Sequence, residues 1–379
     1  MKFVIITHVP HIIERNNFFA YAPYVNEMNV WAKDMKDLIL VAPIVKSEKT
    51  LLDIAYEHKK IQFIPITSFD VLSLQNIVRS VFKIPSICWH IFFAMRSADH
   101  IHLRCPGNIG LLGCFIQVLF PNTPKTAKYA GNWDPMSKQP STYKLQQWIL
   151  NNTFLTRNMR VLVYGEWKGS SKNIKPFFTA TYTEKDKVPL VPKKLNEVVD
   201  FVFVGALVKG KNPMYAIHLI ENLYKKGYSV RLRMYGEGLE RQSLEDYILT
   251  HQLETIISLK GNQTQEVVKK AYQESHFVIL PSNSEGWPKA IAEGMFWGCV
   301  PLAPSVSCVP YMLDGGKRGV LLELNLEKDA EKTEMLLNNQ KDLDAKSKNA
   351  AEWSRSYTLD VFEQEIVGLL KPDLNSKIK

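Results

Sequence analysis

Apolar residues in the first half of the chain gather into short runs separated by stretches with helical spacing. Residues 3–7, 38–42, 62–65 and 100–104 are such runs and read as strands. The intervening periodicity predicts helices over 23–34, 72–82, 87–96 and 109–120, and residues 125–129 and 161–164 continue the strand series. Strands alternating with helices predict a parallel sheet covered by helices.

The pattern breaks at 184–196, where Pro189 and Pro192 stand among lysines without helical periodicity. This stretch reads as an interdomain linker. A second series follows. Strand 200–204 leads to Gly205 and a helix over 213–226. Strand 229–235 ends at Gly236 and Gly238 before a helix over 240–249. Strand 256–259, helix 265–274, strand 276–280, a helix from Pro288 and strand 300–303 complete it. Turn residues follow the strand C-termini, the edge at which open α/β sheets bind ligands. In the tail, Leu359, Phe362, Ile366 and Leu369 form one helical stripe, so one face is buried. The last residues, 374–379, read as disordered.

A chain of 379 residues exceeds one ordinary domain and suits two. Its 46% apolar and 22% charged content is that of a globular protein. The net charge is +9 and the pI near 9.1, which favours an anionic partner. Lysines thicken over 185–194 and pair at Lys269 and Lys270, but no basic arm or nucleic-acid motif is present, so nucleic acid is not the expected partner. Five cysteines form no CxxC pair and no metal-ligand spacing, as in a reducing compartment. The N-terminus reads as a strand interrupted by His8 rather than a signal peptide. The longest uncharged span, 105–124, has a helical part too short to cross a bilayer. The expected location is cytoplasmic, with a peripheral station at the inner face of the membrane as the variant.

The most informative segment is 281–301. Glu285 and Glu293 stand eight residues apart, and Pro288 fits the first position of a helix between them. Glu285 then lies in the preceding loop and Glu293 in the second turn, about 7.5 Å along the helix from Pro288. The unpaired amides of the helix N-terminus are a natural phosphate site. One acid for sugar hydroxyls, a diphosphate on the helix end and a second acid for ribose hydroxyls would bind a nucleotide sugar.

This segment resembles the E-x7-E motif of retaining family 4 glycosyltransferases, the group 1 glycosyl transferases with the GT-B fold. The resemblance implies two Rossmann-like doubly wound domains facing each other across a cleft, with a C-terminal helix crossing back. The domains are expected at 1–183 for the acceptor and 200–355 for the donor, with the linker at 184–199 and the crossover helix at 356–373. Glu285 would contact the donor sugar and Glu293 the ribose. Residues 203–212 resemble the first loop of the donor domain, which usually carries an arginine after the glycine and a lysine five residues later. Lys211 holds the lysine position, but Ala206 stands at the arginine position after Gly205, and Lys209 is the candidate replacement. Such a lysine stabilises the departing diphosphate. Gly236 and Gly238 resemble the family's strand-end loop, and Asn262 falls in the loop against the nucleobase. Gly286 would let the backbone approach the ligand, with Ser284, Trp287 and Pro288 beside it. The donor would be UDP- or GDP-linked, with no cofactor and no metal.

On the acceptor side, the loop after the first strand lacks Gly-x-Gly-x-x-Gly, which argues against a dinucleotide site. His8 stands at that strand's C-terminal edge. Residues 100–106 match a strand on which the family often places a histidine reaching the donor sugar; here Arg104 occupies the position. Arginine is no general base, but it suits a carboxylate or phosphate. His102, on the same strand face, is the alternative, and Asn132 and Asp134 are candidate acceptor contacts.

The reading is a retaining hexosyl- or other glycosyltransferase with Glu285, Lys211 and Arg104 as the reactive set. It would act on a glycan or lipid-linked glycan in surface polysaccharide biosynthesis. A GT-B-type nucleotide-sugar epimerase and a non-catalytic binder of anionic ligands are the alternatives.

Overall fold

The computed structural model describes residues 1–50, 52–68, 74–195 and 198–370, with 74–81 described as helix backbone only. Residues 72–73 of the expected helix, 196–197 of the expected linker, 371–373 of the expected last helix and the tail 374–379 lie outside the described residues. The chain divides into two compact units, one comprising residues 1–178 together with the chain from Glu363 onward, the other Thr179–Phe362. Both are α/β, and each is built on a wholly parallel sheet.

In the first unit the strands are β1 (Lys2–Ile6), β2 (Ile12–Glu14), β3 (Asn17–Tyr21), β4 (Asp37–Pro43), β5 (Asp53–Ala55), β6 (Ile61–Ile66), β7 (His100–Cys105), β8 (Lys125–Tyr129), β9 (Met159–Tyr164) and β10 (Ile174–Phe177). Seven of them form one sheet in the order β10-β9-β8-β7-β1-β4-β6. The helices are α1 (Ala22–Ala32), α2 (Leu74–Arg96), α3 (Asn108–Ile116) and α4 (Ser141–Leu150). Burial of nearly every residue of β1, β4 and β7 shows a sheet covered on both faces.

Two features of this unit differ from expectation. The predicted helices 72–82 and 87–96 are one 23-residue helix, α2, that runs through Pro85. An internal proline costs about 3 kcal/mol or more. Ile87, Ile91 and Met95 are each at most 1% exposed, and burying such side chains contributes roughly 1.5–3 kcal/mol each, so packing outweighs the break. The stretch 8–14 is not a plain loop. It enters a small antiparallel sheet, β2-β3-β5, whose β2–β3 turn places Arg15 and Asn16 at φ 46 and 66.

The second unit adds β11 (Val199–Val204), β12 (Val230–Tyr235), β13 (Ile257–Leu259), β14 (Phe277–Ile279), β15 (Val300–Pro304) and β16 (Val320–Leu322). Their order is β13-β12-β11-β14-β15-β16, the doubly wound arrangement in which strand order reverses between the first and fourth strands. The helices are α5 (Pro213–Lys225), α6 (Arg241–Thr250), α7 (Gln265–Glu274), α8 (Lys289–Phe296), α9 (Val309–Met312), α10 (Leu326–Leu337) and α11 (Gln340–Ser354). Residues 184–195, expected to link domains, group with this unit. Lys193 is sunk into it, its ammonium donating to the carbonyls of Tyr272, Ser275 and Trp297.

The last helix, α12 (Leu359–Leu370), begins with the second unit and ends with the first. Within the first unit its Glu363 and Glu365 pair with Lys33 and Lys175, both at 2.5 Å. Of the expected stripe, Phe362, Ile366 and Leu369 are buried, at 1%, 1% and 6% exposed, and Leu359 is half-buried.

Candidate active site

In the second unit the strand order reverses between β11 and β14, so the loops after these strands diverge and leave a crevice at the sheet's C-terminal edge. The loop after β11 carries Lys211 on a short 3-10 turn, Lys209–Lys211. The loop after β14 carries Glu285. The two side chains, 74 residues apart, meet as an ion pair at 2.6 Å. The carboxylate side is nearly closed off, with 6% of the Glu285 side chain exposed, while that of Lys211 is 31% exposed. A cation that reaches solvent from a buried partner is placed to exchange that partner for an incoming anion.

Main-chain bonds hold the loops together. The Asn283 amide donates to the Gly210 carbonyl at 2.9 Å, and its side chain donates to the Lys209 carbonyl. Cys308 and Ser307, after β15, donate to the Gly286 carbonyl at 3.0 and 3.3 Å. Between the loops after β11 and β12 the Leu207 amide donates to the Glu237 carbonyl at 2.9 Å, and between those after β12 and β13 the Gly236 amide donates to the Gly261 carbonyl. These approaches explain two glycines. A Cβ on Gly236, at φ 139, would lie 2.0 Å from the Gly205 carbonyl oxygen, and one on Gly238 would lie 2.3 Å from that of Leu207. Lys209, Ala206, Asn262 and Ser284 are exposed around this frame.

Helix α8 starts at Lys289, one residue later than expected, with Pro288 as its cap and no side chain closing its first amides. Glu293 lies in its second turn and is half-buried. Its carboxylate accepts from the Thr181 hydroxyl at 2.6 Å and the Tyr272 hydroxyl at 3.2 Å. Burial raises its pKa against the opposing pull of Thr181, Lys289 and Tyr272. Neither hydroxyl was anticipated; they lie 112 and 21 residues away in sequence. Trp287 is 7% exposed and packs against Trp353 and Tyr357, at centroid distances of 6.0 and 5.6 Å. It belongs to an aromatic cluster rather than to an open stacking face.

In the first unit the corresponding reversal lies between β1 and β7. His8, after β1, sits against Gly107 after β7, where a Cβ would come within 2.8 Å of its Nδ1. His8 is exposed as a whole, yet partial desolvation of its ring against the neighbouring chain and then the nearby Arg104 charge lower its pKa. Arg104 does not stand open at this edge. Its guanidinium donates to Glu27 on α1 at 2.8 Å, and Lys128 approaches the same carboxylate at 3.1 Å. Their side chains are 13%, 5% and 0% exposed for Arg104, Glu27 and Lys128. Two buried cations therefore share one anion.

His102 is not at the surface either. It is fully buried, shares the Thr126 hydroxyl with His100, and lies 4.5 Å from the Trp31 ring. Burial drives its pKa down to about 3, so it is neutral at ordinary pH. Position on one strand face did not predict exposure, because helix α1 covers that face. Asn132 and Asp134 cap their own loop, accepting from the amides of Asp134 and Met136, both at 2.9 Å. Their neighbours Trp133 and Pro135 line a groove of roughly 480 Å³ with Gln147, Trp148, Asn152 and Trp167. Tryptophans interleaved with amides suit the faces and hydroxyls of sugar rings. Among the described residues no three His, Cys, Asp or Glu side chains converge as metal ligands.

Two Rossmann-like units in one chain, with an acid–lysine pair at the reversal point of the second, define the GT-B architecture. Residues 184–353 match the family model Glycosyl transferases group 1, and this part of the chain is a domain of that family. The chain is 26% identical over 171 residues to an uncharacterized glycosyltransferase of Methanocaldococcus jannaschii, covering 45% of this chain and 46% of that one. It is 29% identical over 134 residues to WcaL of Salmonella typhimurium, a glycosyltransferase assigned by name to colanic acid biosynthesis, covering 34% and 33%. The matched region thus spans about half, or less, of these curated relatives. Among solved structures, Anabaena HepE in complex with UDP and glucose superposes with a TM-score of 0.69 at 14% identity, over 98% of this chain and 99% of that one.

Proposed function

We propose that the protein is a retaining glycosyltransferase of the family 4 kind. It moves a hexosyl group from a UDP- or GDP-linked sugar to a glycan or lipid-linked glycan, in surface polysaccharide synthesis on the cytoplasmic side of the membrane. The observation that carries this reading is the Lys211–Glu285 pair at the strand-order reversal of the second unit. The names of the relatives and the UDP and glucose bound by HepE point the same way.

In this reading Lys211 leaves Glu285 for the donor diphosphate and stabilises the charge that develops as the sugar departs. Glu285, freed, accepts from sugar hydroxyls. The N-terminal end of α8 and the exposed Lys209 add positive potential near the phosphates, Lys209 in place of the arginine expected at Ala206. Glu293 takes the ribose hydroxyls once Thr181 gives way. No metal or protein nucleophile is required; the leaving phosphate takes the acceptor proton on the face it departs from. In the first unit His8 stands on the acceptor side, at the C-terminal edge of the sheet. Arg104 acts through its tie to Glu27 rather than as a free anion hook. The tryptophan-lined groove takes the glycan portion of the acceptor.

The test is nucleotide release from UDP- and GDP-sugars by the wild type, Lys211→Ala and Glu285→Gln. Loss of about 10²-fold or more in both variants is expected, with far-UV circular dichroism unchanged. Unchanged turnover in Lys211→Ala would remove the basis of the reading.

A further inference from the structure

We propose that the face of the first unit covered by α2, α3 and α4 binds an anionic lipid surface. This deepens, and in purpose rests on, the lipid-linked acceptor reading above.

The helices form one continuous cover, because α3 packs against both α2 and α4. Helix α2 is apolar on both sides. Its inner stripe, Ile87, Ile91 and Met95, is buried, while Phe82, Trp89 and Phe93 turn outward at 81%, 65% and 41% exposure. Their spacing of seven and four residues puts them on a single helical face. The outward pattern continues at the end of α3 and in the 3-10 turn that follows it, with Phe115 and Leu119 49% and 65% exposed, and on α4, with Trp148 at 61%. Phe92, 5.4 Å from both Phe93 and Phe120, bridges the first two patches. Among the described residues every largely exposed Phe and Trp lies between 82 and 154. Such a patch marks an interaction surface.

Charge decides between occupants. Residues 71–165 hold ten Lys and Arg against two Asp, a net of +8, of which Lys125 and Lys128 are buried in the sheet, Arg104 is held inside by Glu27, and the remainder supplies the charge of this face. Helices α2, α3 and α4 contain no Asp or Glu at all. Arg96, Lys144 and Arg157 are exposed on or just beyond them, and Arg157 lies over the ring of Phe154, itself 70% exposed. A self-complementary interface would place like charges against each other. Exposed aromatic rings among cations, without anions, match an interface of anionic headgroups over acyl chains. Among the described residues no helix is long and apolar enough to cross a membrane, so the face lies on the bilayer.

The experiment is co-sedimentation of the full chain with vesicles of phosphatidylcholine, alone or mixed with phosphatidylglycerol, at low and high salt. Light scattering of the protein without lipid runs alongside. The expected result is binding to the mixed vesicles, weakened by salt, and a roughly ten-fold or greater loss in Trp89→Ser/Phe93→Ser. Lys144→Glu/Arg157→Glu should lose binding and its salt dependence together. Both variants keep the circular dichroism of the wild type and its nucleotide release, since these residues lie outside the donor site. Wild type left in the supernatant with mixed vesicles would overturn the proposal. So would undiminished sedimentation of the aromatic variant, or a dimer that this variant dissociates. Vesicle binding without nucleotide release would instead count against the donor reading and leave the lipid face standing.

Discussion

Substituting Glu27 by Gln probes the most heavily charged buried point of the first unit. Glu27 is the anion shared by Arg104 at 2.8 Å and Lys128 at 3.1 Å. Lys128 also donates to the Phe178 carbonyl at 3.2 Å and lies 5.5 and 5.4 Å from the Tyr164 and Phe177 ring centres. Glutamine keeps the volume and one acceptor oxygen but removes the charge. Each contact carries roughly 5–6 kcal/mol of Coulomb attraction at an effective dielectric near 20, most of which offsets desolvation. The net cost of stranding one partner of a buried pair is about 3–5 kcal/mol. Guanidinium unfolding, followed by circular dichroism and tryptophan fluorescence, should show a loss of that size. Adding Lys128→Met should recover part of it by removing one of the two stranded cations. A loss below about 1 kcal/mol, or a double variant no more stable than the single one, would refute the view that Glu27 holds these cations inside the fold.

Three further outcomes follow from the geometry. Gly236→Ala and Gly238→Ala force a Cβ to within 2.0 and 2.3 Å of carbonyl oxygens; each should weaken donor binding and lower stability by about 1–3 kcal/mol, and a fully stable Gly238→Ala would contradict the close approach. His11, His100 and His102 have pKa values near 4, 4 and 3, lowered first by burial. The unfolded chain takes up these protons near pH 6.5 and the folded one does not, so their stability is complete above that pH and declines as pH falls toward 4. Each loses about 2 kcal/mol by pH 5, and His100→Gln should flatten urea-measured stability between pH 7 and 5 by that amount; an identical pH dependence in the variant would refute the burial argument. Thr181→Val removes the hydroxyl that occupies Glu293 and should tighten nucleotide affinity several-fold in calorimetric titration; weaker binding would mean that Thr181 belongs to the ribose site.

What could be read in advance depended on the distance over which each signal acts. Strands such as β1 and β4 announce themselves by local apolar runs, and the E-x7-E spacing fixes Glu285 and Glu293 relative to one helix. Continuity of α2 through Pro85 could not be read locally, since it depends on burial against a sheet formed by residues distant in sequence. The β2–β3 hairpin escaped because Arg15 and Asn16 make its turn without the glycine that usually signals one. Arg104 was legible as a cation at a strand end, but not its capture by Glu27, 77 residues away. His102 was legible as polar, but not as covered. The lysine clusters drew attention to 185–194, while the absence of acids within α2, α3 and α4 has no local motif and emerges only when those helices share a face.

The loops that bear Lys211 and Glu285 are tied by amides and carbonyls, such as Asn283 to Gly210 and Leu207 to Glu237. Every residue type other than proline carries both groups, so this lattice is indifferent to most side-chain replacements. Ala206 sits exposed within it, at the position where the family resemblance leads one to expect an arginine. A protein built this way can redistribute its positive charges among neighbouring positions over evolutionary time while the chassis that holds them keeps its shape.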